Sequence, residues 1–69
     1  MKNWVKVFEA KEEYKVEIVK DVLADKGFDP VIVNKKDTAY NIFGAYEIHV
    51  APEYTVLALR VIENDIKFE

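Results

Sequence analysis

The chain contains no cysteine and no serine, a single histidine, and only two glycines and two prolines among its 69 residues. Without cysteine, neither a disulfide nor a thiolate zinc site can support the fold, so packing and association must supply all of its stability. Hydroxyls are confined to Thr38, Thr55 and the tyrosines. A set of nucleophile, base and orienting partner therefore has little to be built from, and the chain is expected not to be an enzyme. His49 has only Glu47 beside it at i−2, too few groups for metal-assisted hydrolysis, so no catalytic residue, metal or cofactor is expected. Both glycines are isolated, which excludes a glycine-rich phosphate cradle. The longest uninterrupted apolar run, Val56 to Leu59, falls far short of the ~20 residues a membrane span needs. The opening Met1-Lys2-Asn3-Trp4 runs into a strand pattern and not into the apolar core of a signal peptide, so a cytoplasmic protein is expected. Thirteen acids against ten bases give a net charge of −3, which disfavours a nucleic-acid partner.

What is present is a strongly apolar composition, 51% with nine aromatics (one Trp, four Tyr, four Phe), too hydrophobic for a disordered chain. The length fits one domain over residues 1–69. Residues 3–9 alternate, with Val5 and Val7 on one side and Trp4, Lys6 and Phe8 on the other, which predicts a first strand. Over residues 11–26 the period changes. Tyr14, Ile18, Val19, Val22 and Leu23 form one stripe on a helix, with Val16 an apolar exception on the polar side. Glu12 with Lys15 and Glu17 with Lys20 are favourable i,i+3 pairs, but Glu13 with Glu17 and Asp21 with Asp25 are like-charge pairs at i,i+4, so the charges solubilise this helix more than they stabilise it. No Ser, Thr, Asp or Asn caps its start, and Gly27 is placed to end it.

Residues 28–34 predict a second strand that is apolar on both sides, with Val31 and Val33 facing one way and Ile32 the other. Residues 45–51 resume alternation as a third strand, with Tyr46, Ile48 and Val50 opposite Glu47 and His49. Pro52 and Glu53 open a second helix whose stripe is Tyr54, Leu57, Ala58, Val61 and Ile62. Val56 and Leu59 lie off that stripe and offer a competing interface, unless the C-terminal tail covers them. Residues 66–68 form either a short fourth strand or a loose tail.

The order β-α-β-β-α, with right-handed crossovers, gives an α+β fold of ferredoxin-like split β-α-β type. It has a three-stranded antiparallel sheet in the order 1-3-2 and both helices on one face. Val5, Val7, Val31, Val33, Tyr46, Ile48 and Val50 are expected to meet the helices. The other face is expected to carry Trp4, Lys6, Phe8, Ile32, Asn34, Glu47 and His49. Trp4, Phe8, Ile32 and His49 are then candidates for an interface with a second copy or another protein. The long stretch 34–44 supplies the other candidate, with Asn34, Lys35, Lys36, Asp37, Thr38 and Tyr40 placing two cations and several donors beside a strand end. It would serve as a partner loop or hold a small anionic metabolite or nucleotide.

Particular residues also resemble a known family. Asn3-Trp4-Val5-Lys6-Val7-Phe8, Glu17-Ile18-Val19-Lys20, the run from Val33 to Tyr40, Phe43-Gly44 and Glu47-Ile48-His49-Val50 together resemble the prokaryotic signal transducing proteins, a small bacterial family. The resemblance extends from Trp4 to about Asn64. This chain departs from it in lacking a Ser or Thr cap before the first helix and in having Thr38-Ala39 where members often have a pair of serines. It implies a fold like that of the PII-type nitrogen regulators and a non-catalytic regulatory role, with no established ligand. The expected function is a small binding or regulatory module that self-associates. An anion sensor and a structural subunit of a larger assembly are the alternatives.

Overall fold

The first strand does not keep one phase along its length. The structure, a computed structural model, describes residues 3–35 and 45–66. In it β1 (Val5–Ala10) pairs antiparallel with β3 (Tyr46–Val50), and β2 (Val31–Asn34) pairs with the other edge of β3. The sheet order is β1-β3-β2, the order expected from the sequence. Lys6 stands opposite His49 and Phe8 opposite Ile48, which leaves Val7 as the extra residue of a β-bulge. Up to Val7 the core-facing positions are odd-numbered, and from Phe8 onward they are even. Val7 is buried, while Phe8 and Ala10 pack against the core.

That bulge corrects the expected sidedness of Phe8, which lies on the core side of the sheet. A second correction concerns β2. Its register places Ile32 opposite the fully buried Ile48, and Val31 and Val33 opposite His49 and Glu47. Directly opposed residues share a face, so Ile32 points to the core and the two valines to the open face. A strand that is apolar on both sides fixes its phase through pairing, because one residue of slip exchanges two equally apolar sets.

Helix α1 (Glu13–Asp25) begins without a side-chain cap, as its sequence implies. It ends in a Schellman arrangement. Gly27, at φ +85°, donates its N–H to the Ala24 carbonyl, and Phe28 donates to Leu23. Its buried residues are Val16, Val19 and Leu23. Val16 therefore sits at the centre of the stripe, and Tyr14 and Ile18, expected in the core, are exposed. The chain then passes a 3-10 turn over Pro52–Tyr54 into α2 (Thr55–Asp65), which buries Ala58 and packs Val61 and Ile62 against the same core. Leu57, expected in its stripe, is exposed. Phe28 and Tyr54 stack with ring centroids 5.3 Å apart, joining the end of α1 to the start of the second helical segment. Both helices thus cover one face of the sheet, and the other face is bare among the described residues. Residues 67 and 68 of the expected fourth strand lie outside the described residues, and Ile66 packs on the core without joining a strand.

Candidate functional site

On the bare face of the sheet, cross-strand pairing builds two rows. Lys6, His49 and Val31 form one, and Glu9, Glu47 and Val33 the other. Lys6 and Glu9 are three residues apart in a strand and would ordinarily point to opposite sides. The bulge between them brings both onto this face, where they form an ion pair. His49 Nε2 lies 2.9 Å from Glu47 Oε1. An ionised carboxylate only accepts, so Nε2 is the protonated nitrogen of that bond. The hydrogen bond from His49 is the first cause holding the Glu47 carboxyl below its ordinary range; partial burial opposes it, and the charges of Lys6 and Lys35 reinforce it. Glu9, through its hydrogen bond and charge, holds the Lys6 ammonium above its ordinary value. Glu9 and Glu47 stand directly opposite each other, and the Lys6 ammonium pairs with Glu9 and lies 3.9 Å from Glu47, so a cation bridges the two carboxylates.

The outward side of the helical layer is different. Opposite the buried Val16, Val19 and Leu23 on α1, Tyr14 and Ile18 are 59% and 44% exposed. On α2, Val56, Leu57 and Leu59 are 62%, 49% and 46% exposed. The stripe of a surface helix ordinarily turns such residues inward and leaves charge outside.

Of the residues singled out in the sequence, His49 lies on the bare face and Trp4 is partly buried just ahead of β1. Phe8 and Ile32 are on the core side, so the expected interface of Trp4, Phe8, Ile32 and His49 is not assembled on one face. Asn34 closes β2 opposite Tyr46. Lys35 donates its backbone N–H to the Ala45 carbonyl at 3.0 Å, and its charge already acts on Glu47. Lys36, Asp37, Thr38 and Tyr40 lie outside the described residues. The sequence pattern points Tyr14, Ile18 and Leu57 inward, and the structure exposes all three. The competing signal was the i, i+3, i+7 spacing of Val16, Val19 and Leu23, which serves a helix equally well.

Among the described residues no group of three metal-ligating side chains converges, and no helix is long and apolar enough to cross a membrane. The arrangement is an α+β domain with a sheet of order 1-3-2, compatible with a ferredoxin-like fold. No protein-family model, curated protein or solved structure matches the chain.

Proposed function

We propose that this chain is a small, non-catalytic interaction module of regulatory type, and that the outward side of its two helices is the surface that holds a protein partner. The supporting observation is the placement of the exposed large apolar side chains. Among the described residues, Tyr14, Ile18, Val56, Leu57 and Leu59 belong to the helices, and Val5 alone to the sheet. Apolar surface left in water on a domain this small is recovered when a partner covers it. The bare sheet face, by contrast, has its charges already matched within the chain.

The test is a photo-cross-linking series in cells that express the protein, with benzoylphenylalanine in place of Ile18, Val56 or, as the control, Val33. Discrete adducts are expected from positions 18 and 56, to a second copy or to another protein. Adducts from position 33 alone, or from none of the three, overturn the reading.

A further inference from the structure

The net charge of this protein is concentrated in one layer. Helix α1 carries Glu13, Glu17, Asp21 and Asp25 against Lys15 and Lys20, and α2 carries Glu63 and Asp65 against Arg60. Six acids against three bases give −3, the net charge of the full sequence, so the residues outside the two helices balance at seven and seven. The four acids of α1 follow one another at i,i+4, all of them exposed. Each step of that row places like charges side by side, an arrangement that weakens a helix. Tyr14 and Ile18 stand next to this row, because Asp21 lies three residues beyond Ile18 and seven beyond Tyr14 on the same side of the cylinder. Asp65 is paired with Lys26 at 3.6 Å, and the excess of acid lies on α1, so exposed apolar side chains and net negative charge share one surface.

We infer that the outward side of the helical layer docks a cationic amphipathic helix of another protein, with apolar side chains on its inner stripe and lysines or arginines beside it. This rests on the interaction-module reading above and names the partner's chemistry. A second copy of the chain would bring two acidic layers together, and like charges in apposition oppose such a contact. Anionic ligands and anionic lipid surfaces are repelled for the same reason. A helix with basic flanks satisfies both features at once: its apolar stripe interdigitates with Tyr14 and Ile18, and its cations meet Glu17, Asp21 and Asp25.

The test titrates the full chain, followed by its backbone amide resonances, with an amphipathic Leu/Lys helical peptide and with the matching Leu/Glu peptide. The Leu/Lys peptide is expected to give saturable shifts in α1 and α2, and the Leu/Glu peptide to bind at least about tenfold more weakly. Two double variants, Asp21→Asn/Asp25→Asn and Tyr14→Ala/Ile18→Ala, are each expected to weaken the Leu/Lys peptide by about tenfold. Both change only exposed positions, and circular dichroism verifies that each is folded. Equal binding of the two peptides overturns the inference, as does unaltered Leu/Lys binding in the Tyr14/Ile18 variant, which would mean attraction by charge alone. Shifts confined to the bare sheet face overturn it too. If positions 18 and 56 still cross-link while the peptides fail, the surface stands and the partner's chemistry is wrong. If both experiments fail, the module reading fails with it.

Discussion

On the bare side of the sheet, Lys6, Glu9, Glu47 and His49 stand in two cross-strand rows tied together by the Lys6 ion pairs and the His49–Glu47 hydrogen bond. On the far side of the molecule, Tyr14, Ile18, Val56 and Leu59 face water beside a row of four acids that the two lysines of α1 only half balance. The usual expectation is the reverse, with helices polar on the outside and the uncovered sheet face holding the apolar patch. The difference separates two ways of occupying a surface. A matched ionic face is complete within one chain and has little to gain from a partner. An apolar and acidic face gains from one on both counts, by losing contact with water and by acquiring positive charge.

The contrast breaks most sharply at the interior. Leu23→Ala, at a fully buried position, is expected to cost about 2–5 kcal/mol, whereas Ile18→Ala, five residues earlier on the same helix, should stay within about 0.5 kcal/mol. Denaturant unfolding of the two variants reads the difference, and similar losses would mean that the helix is rotated. The next largest effect tests the sheet. Ile32→Lys puts an ammonium on the core side and is expected to cost about 1–3 kcal/mol, while Val33→Lys puts it beside Glu47 and should fall within about 0.5 kcal/mol. The opposite order would shift β2 by one residue.

Smaller again is the effect of charge on α1. Glu17→Lys turns two like-charge neighbours, Glu13 and Asp21, into attractive ones and the attractive Lys20 into a repulsive one, and is expected to stabilise the chain by about 0.2–0.5 kcal/mol, less at high salt. A gain would show that the acidic row is kept at the expense of stability. The smallest effect is on the matched face. The folded-state pKa of Glu47 is depressed, so its contribution is fully present above the ordinary glutamate value of ~4.3 and is lost as pH falls through the folded value. The stability gap between the wild type and Glu47→Gln should accordingly be widest near neutral pH and close in acid. A gap independent of pH would mean that the His49 contact does not form in solution.

The element order and the sheet order were legible because each element has a strong period or a stop signal of its own. The switch from alternation to helical spacing after Ala10, the left-handed Gly27 and the Pro52-Glu53 opening are local features, readable without knowledge of the partners they meet. Sidedness was less legible. In Val5-Lys6-Val7-Phe8-Glu9-Ala10 two adjacent apolar residues interrupt an alternating pattern, which is the trace of a bulge, but the same letters also fit an unbroken strand. In Val31-Ile32-Val33 both faces are apolar, so only pairing with β3 could decide. Helix α1 carries two apolar rows, and which one is buried depends on the sheet beneath it. The candidate site is legible in part: Val56 and Leu59, off the stripe of α2, mark an apolar surface in the sequence, whereas the bulge in β1 and the pairing of β2 take Phe8 and Ile32 off the bare face.

The extra residue at Val7 divides β1 into two halves that keep opposite parity, joined at one position. Deleting Val7 would bring the halves to a single parity with both faces kept, because Lys6 and Phe8 already stand opposite the consecutive His49 and Ile48. A loss elsewhere in the strand that left the bulge in place would instead turn the residues beyond it inside out, carrying Glu9 toward the interior or Val5 away from it. The length of β1 is therefore adjustable at the bulge and fixed elsewhere, so a gap in a distant relative of this segment should fall at Val7.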